Sequence, residues 1–541
     1  MPLDALVTGG RVATFAGEHG FGWVEAVGIR GGRVAFAGSA VELETRADPH
    51  TLRIELEPGE IAIPGLTDAH LHLVEAAIAA EDVDLTDAST LEDGLAMLAT
   101  ADAALPAGAW LLGAGWDQRR WGRWPTAAEL ARVVPGRPAV LWSFDHHAVW
   151  ASPAALSIAG LDAGTTDPDG GIIRRLADGS PEGVLLENAC PLVTDRIPGP
   201  GQADVRRLVA AMGHRLAALG VVAVHDPGNI SPDAELASFD AYAEMADAGE
   251  LPIRVHACLR SESLGVAAER GLLSGAGLGS AEHGRAKVGW LKLFADGTLG
   301  SQTAALLDPR TGTDSDRGVF RTSPELLRDL AERAAGIGIA TQVHAIGDAA
   351  ARAALDALEP TVDRVALMPR LEHVQLLHPD DLGRFAAGGI AASVQPVHLR
   401  EDAATARRDW GERAEAWAYP WRSLLESGAV LAFGTDAPVE PIDPWPGIAM
   451  AVLRRAPAWG SEAPAFAPHE ALTLEEALRA ATIGPTVTAR EPDRGRLVPG
   501  MRADLVVLPA APRETADDAS RGFATVRPRL VMIDGAVAFE E

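Results

Sequence analysis

The strongest constraint on the fold is a recurrence. Eight short apolar runs, each about the length of a β-strand, are spread from residue 61 to residue 436. They are Ile61–His70, Val221–Asp226, Ile253–Leu259, Val288–Phe294, Ile339–Ala345, Arg370–Gln375, Ile390–Gln395 and Val430–Asp436. Helical patterns fill several of the intervals, as in Glu325–Ala335, Ala349–Leu358, Asp380–Ala387 and Arg422–Glu426. Strands joined through helices run parallel, because the helix returns the chain across the sheet. Eight such strands predict an α/β fold, a (β/α)8 TIM barrel.

The remainder of the chain divides around that barrel. Residues 1–60 read as short strands between Gly-rich turns, and 495–541 repeats the style, so the two flanks are expected to pair as one composite β-sandwich. The barrel is then 61–84 plus 206–494. Residues 85–205 are too many for one crossover and are read as a subdomain inserted after strand one, over the active site. The insertion holds Trp110, Trp116, Trp121, Trp124, Trp142 and Trp150. These either line a site for a hydrophobic substrate or fill the insertion's own core.

Composition narrows the function classes. A net charge of −28 argues against nucleic acid or an anionic membrane as partner. No apolar run is long enough to span a membrane, and no basic segment followed by an apolar one opens the chain. Cys190 and Cys258 form no CxxC pair, which points away from a disulfide framework and toward a reducing cytoplasm. Gly275–Ser280 does not have the G-x-G-x-x-G spacing of a dinucleotide-binding turn. The expected partner is a small molecule, with a homodimer as the candidate assembly.

In a TIM barrel the chemistry sits at the carboxyl ends of the strands. His70 and His72 end strand one, Lys292 lies on strand four, His344 ends strand five, His373 ends strand six and Asp436 ends strand eight. If strand one continues through them, His70 and His72 point to one face. Imidazole nitrogens and carboxylate oxygens suit Zn²⁺ first among divalent ions, one or two of them. A lysine between leucines is costly to bury as an ammonium, which has no lone pair for a metal. Lys292 is therefore expected either to pair with a carboxylate such as Asp296 or to be N6-carboxylated, its carbamate bridging two metals. Such an ion would activate a water and polarise a carbonyl. Asp436 would take the proton of that water and pass it to a leaving nitrogen. Lys292 and His373 complete the catalytic set.

These residues, in this order and between split β-flanks, resemble the amidohydrolase superfamily. The closer similarity is to its YtcJ-like branch (amidohydrolase family 3), which includes N-substituted formamide deformylases. The segments that carry it are 64–72, 115–118, 292–301, 343–348, 372–375, 393–396 and 434–440, with 500–508 matching the return to the sandwich. One departure is Asp145-His146-His147, where the family usually has Asp-Gly-His. His147 takes the family histidine's place, and His146 reads as a surface or packing residue. The resemblance implies hydrolysis of a non-peptide C–N bond, in an amide or N-substituted formamide, by attack of metal-bound hydroxide. A deaminase, a lactone or ester hydrolase, or a non-catalytic scaffold are the alternatives. Further candidates for contact with substrate are Asp296, Trp116, Asp117, His147, Arg321 and Gln395, joined by His398 after strand seven. His225, ending strand two, is a candidate to support a ligand.

Overall fold

The computed structural model describes residues 2–144, 147–168, 170–199, 201–228, 236–280, 284–460, 463–509 and 526–541. The chain divides into two compact units, 1–76 with 202–541, and 77–201.

The first unit contains eight parallel strands: β1 (Leu66–Asp68), β2 (Val221–Asp226), β3 (Arg254–Arg260), β4 (Ala286–Phe294), β5 (Thr341–Ala345), β6 (Arg370–His373), β7 (Ala391–Val394) and β8 (Leu431–Phe433). Each pairs with its neighbour in chain order. The seam between β1 and β8 is held just past the strand ends. Ala69 N donates to Phe433 O at 2.8 Å, and Asp68 Oδ2 accepts from Thr435 Oγ1 at 2.7 Å. The sheet is thus nearly closed as a TIM-barrel-like α/β fold. Helix Pro324–Gly336 shows how the crossovers start, with Ser323 capping the first turn and proline at the first position, where its missing N–H costs nothing.

The run Ile61–His70 is not one strand, contrary to its uninterrupted apolar pattern. Ile61–Pro64 pairs antiparallel with Leu505–Leu508 in a flank sheet, and only Leu66–Asp68 enters the barrel. Gly65 makes the transfer possible. A Cβ there would lie 2.6 Å from Val222 Cγ1, so only hydrogen fits. Periodicity reports burial, and both halves are buried, so it could not reveal the change of partner.

The flanks interleave in two sheets. One is Arg33–Gly38, Ala26–Arg30, Ala5–Thr8 and Leu52–Glu55; the other runs from Ala536–Glu540 through Leu530–Ile533, Leu505–Leu508, Ile61–Pro64 and Arg11–Ala13 to Trp23–Val24. Val7, Val27 and Ile29 share a core with Val507, Leu530 and Met532, so amino- and carboxyl-terminal segments bury each other. That is expected where neither piece carries enough strands to cover its own apolar face.

The second unit has its own mixed six-stranded sheet, ordered Gly171–Arg175, Pro181–Glu187, Ala148–Ala151, Ala139–Ser143, Leu111–Trp116 and Val83–Asp84. Its tryptophans are largely core. Trp116 and Trp150 are fully buried, with Trp121 and Trp124 packed around them, and the Trp116–Trp124 ring centroids are 6.1 Å apart. Trp110 and Trp142 pack against a second cluster of the same unit. Among the described residues of the chain, no helix is long and apolar enough to cross a membrane.

Candidate active site

A cavity of about 530 Å³ opens at the carboxyl ends of the barrel strands. His70, His72, Lys292, His344, His373, Asp436, Arg321 and His398 all line it. Residues scattered over 367 positions of sequence therefore face one space.

His70 and His72 lie beyond β1, so strand alternation does not aim them. Backbone bonds do: His70 N donates to Asp68 Oδ1 (3.0 Å), Leu71 N to His225 O (3.2 Å) and His72 N to Ala437 O (2.9 Å). Side-chain partners then select the nitrogen that each ring offers. His70 Nδ1 lies 2.6 Å from Glu372 Oε2, and His72 Nδ1 lies 2.7 Å from Gly228 O. Both contacts need the proton on Nδ1, which leaves the Nε2 lone pairs facing Asp436. His344 is held the other way round, its Nε2 bonded to Gly297 O at 2.8 Å.

The separations suit a shared cation. Asp436 Oδ1 is 3.3 Å from His70 Nε2 and 3.5 Å from His72 Nε2. Two ligands about 2.0–2.1 Å from a tetrahedral ion stand roughly 3.3 Å apart. His70, His373 and Asp436 each offer a ligand atom, all within 4.8 Å of one another. His373 Nδ1 is buried without a hydrogen-bond partner among the described residues, which is costly unless something else takes its lone pair. Burial first, and then His344, holds His373 well below the usual imidazole range. Burial and Lys292 push His344 down to about 3. Neutral rings are what a metal requires. The residues present fit a divalent ion.

His373, Val374 and Asp436 have φ of 75°, 46° and 62°. Left-handed backbone at non-glycine residues costs on the order of 1–3 kcal/mol each. Here it turns the chain at the ends of β6 and β8, where His373 and Asp436 must face inward.

Behind the ligands runs a buried charge network. Glu372 Oε1 lies 2.7 Å from Arg370 Nε, although that N–H itself points to Gln342 Oε1 at 3.0 Å. Arg370 also contacts His225 Nδ1 at 2.8 Å and Ala69 O at 3.0 Å. His225 therefore supports the site through Arg370. Burial opposes the charge on Glu372, but Arg370 and His70 outweigh it and hold the carboxyl down at about 2. On the other side, His398 Nε2 lies 3.2 Å from Asp436 Oδ2, and Glu440 Oε1 lies 3.4 Å from His398 Nδ1. Burial alone would depress His398; its bonds to Asp436 and Glu440 override that and carry it up to about 10.

Lys292 is 2% exposed, with Nζ 3.5 Å from His70 Nε2, and burial lowers it to about 8. Among the described residues no carboxylate lies within ion-pair distance of its Nζ. Asp296 is occupied elsewhere, accepting backbone N–H bonds from Ala305 (2.8 Å), Ile346 (3.0 Å) and Gly347 (2.9 Å). It does not line the cavity, but its Oδ1 lies 3.6 Å from His344 Nε2, and it ties the loop after β4 to the end of β5. Gln395 is also buried off the cavity lining, its Nε2 3.5 Å from Ser393 O.

Trp116, Asp117 and His147 belong to the second unit. Trp116 Nε1 donates to Leu141 O at 2.7 Å within that unit's core. Asp117 caps the helix Gln118–Trp121 and pairs with Arg119. His147 is exposed, 3.1 Å from Glu187. His146 lies outside the described residues.

Sequence reasoning passed over Arg260, Phe294, Arg370, Glu372 and Gln375. Arg370 and Glu372 carried a usable signal, as two charged residues at alternate positions of a fully buried strand.

Comparison with known proteins places the chain in a family. Residues 58–539 match the model of the amidohydrolase family. The putative amidohydrolase YtcJ of Bacillus subtilis (strain 168) is 30% identical over 548 residues, covering all of both chains. The N-substituted formamide deformylase of Arthrobacter pascens is 28% identical, over 99% of this chain and 98% of its own. A crystal structure of an uncharacterized metal-dependent hydrolase from Pyrococcus furiosus superposes with a TM-score of 0.76 at 27% identity, covering 93% of this chain and 98% of that one. With its barrel, its clustered histidines and aspartate, and a family match over most of its length, this chain belongs to the amidohydrolase family.

Proposed function

We propose that the protein is a metal-dependent hydrolase of a carbon–nitrogen bond other than a peptide bond, in an amide or N-substituted formamide. The observation that carries this is the cluster of His70, His373 and Asp436 at the barrel mouth. The likeness to a formamide deformylase over nearly the full length supports it. His70, His72, His344, His373 and Asp436 would hold one or two divalent ions, zinc first by donor preference. Lys292 suits an N6-carboxylated form, since it is buried beside His70 and has no carboxylate partner among the described residues. An ion held there supplies Lewis acidity, acidifying a water and polarising the carbonyl.

The protein groups do the rest. Asp436 takes the proton of the attacking water and delivers it to the departing nitrogen, which leaves as the amine. His398 holds Asp436 in place for both transfers through its 3.2 Å contact. Glu440 and Arg400, themselves 3.0 Å apart, hold His398 from behind. Glu372 and Arg370 keep His70 in the tautomer that offers Nε2. Leu299, Ile346 and Val439 line the cavity and favour a substrate with an apolar substituent. Two free, buried cysteines accord with a cytoplasmic enzyme.

Screening the zinc-loaded protein against N-formyl amines, acyl amides and lactones tests the reading. Amine release from the amides is the expected result. Hydrolysis confined to lactones would overturn it.

A further inference from the structure

We propose that Asp402, with Gln375 beside it, forms a cation-binding subsite in the cavity, so that the amide cleaved here carries a primary ammonium group on its departing amine. This rests on the amide-hydrolase reading and names the class of substrate. Both residues line the cavity that holds the metal-binding cluster. Gln375 follows β6, two positions after His373, and Asp402 lies in the first turn of the helix Leu399–Trp410, which follows β7. Gln375 Nε2 (3.1 Å) and Tyr419 Oη (2.8 Å) both donate to the same oxygen of Asp402, Oδ2. Among the described residues, nothing donates to its Oδ1, and no cationic side chain lies within ion-pair distance of either oxygen. Burial outweighs the nearby charge of His398 and raises the Asp402 carboxyl above its ordinary value. A partly buried carboxylate held by neutral donors alone lacks a counter-ion, and a bound cation would supply one and favour the charged form.

Gln375 makes a second, independent case. It is 5% exposed, and its Oε1 has no hydrogen-bond partner among the described residues. Only its Nε2 can donate to Asp402, so the carboxamide is fixed with Oε1 as a vacant acceptor. An ammonium group carries several hydrogens and can serve Asp402 Oδ1 and Gln375 Oε1 together. The cavity's own cations are placed elsewhere. His398 is bonded to Asp436 and Glu440, and Lys292 adjoins His70. Arg260 and Arg321 flank Phe294 at the end of β4, and Glu262 and Glu75 act on Arg260. In a ring of eight strands β7 stands opposite β3, so these arginines and Asp402 occupy opposite sides of the mouth. His398 adjoins both acids, with Nε2 3.2 Å from Asp436 Oδ2 and the charge of Asp402 acting on its ring. Asp436 protonates the departing nitrogen in the proposed reaction, so the departing amine is the part of the substrate nearest Asp402. Its ammonium then lies about an imidazole width or more beyond the scissile nitrogen, and an aliphatic spacer joins the two.

The test compares N-(4-aminobutyl)formamide with N-pentylformamide, in which a methyl group replaces the ammonium, on the zinc-loaded full chain. The expected result is a kcat/KM at least about tenfold higher for the amine. Asp402→Asn keeps the size of the side chain and removes its charge, and it should reduce that ratio at least about tenfold through KM. The ratio compares two substrates on one preparation, so any loss of folded protein cancels. Equal or lower turnover of the amine by the wild type, or an unchanged ratio in D402N, overturns the proposal. If neither amide is cleaved, the amide-hydrolase reading fails, and the subsite is judged separately by titration calorimetry with pentylamine at pH 7, where the amine is protonated. Binding to the wild type that weakens at least about tenfold in D402N upholds the subsite. Equal binding by both proteins, or binding by neither, overturns it.

Discussion

Replacing Glu372 with glutamine isolates the buried support of the site. Glu372 is fully buried, 2.6 Å from His70 Nδ1 and 2.7 Å from Arg370 Nε. Its carboxyl is lowered from the ordinary 4.5 to about 2. At 1.36 kcal/mol per pKa unit, that is about 3 kcal/mol of native-state stability. Removing one member of a buried ion pair independently suggests about 3–5 kcal/mol. The native pKa is depressed, so the stabilisation is complete above the unfolded value and is lost as pH falls through the native one. Urea unfolding of the metal-free protein should show E372Q less stable by about 3 kcal/mol at pH 7 and by only about 1 kcal/mol at pH 3. Glutamine also presents His70 with a weaker partner, so zinc affinity measured by chelator competition should fall about 10- to 100-fold. An unchanged urea midpoint at pH 7, together with unchanged zinc affinity, would refute the network as described.

Three further outcomes are expected. Asp436→Asn removes the proposed proton carrier and should lower kcat by at least about 100-fold in single-turnover assays at saturating zinc; full activity would sink its role. Gly65→Ala forces a Cβ to within 2.6 Å of Val222 Cγ1 and should cost about 1–3 kcal/mol, read as a lowered thermal midpoint, whereas an unchanged midpoint would mean that β1 can move freely. Trp116→Ala empties a fully buried position of the second unit and should cost about 3–5 kcal/mol in the urea transition reported by tryptophan fluorescence. If W116A instead raised KM while leaving that transition in place, Trp116 would be a substrate contact rather than a core residue.

The barrel was legible because its signal is repeated. Eight buried strands separated by helical patterns leave few architectures, and errors at one strand do not disturb the count. The ligand candidates were legible for a related reason, since histidine, lysine and aspartate stand out at the ends of apolar runs. Arg370 and Glu372 stand out as charges within a buried strand, but their role is exerted through the segment at His70, 300 or more positions away, and no local pattern reports it. Asp296 drew attention as a polar residue near Lys292, yet three backbone amides satisfy it, and those belong to loops whose approach no local pattern reports.

Sequence alone determined the alternation of strand and helix, the set of groups able to bind a cation, and the family resemblance. Each depends on residue type and spacing along the chain. Tertiary structure decided which sheet each half of 61–68 joins, because Gly65 meets Val222 only after folding. It also decided which nitrogen each histidine offers, through Glu372, Gly228 and Gly297. Those choices depend on contacts between distant segments, and such contacts exist only in the closed barrel.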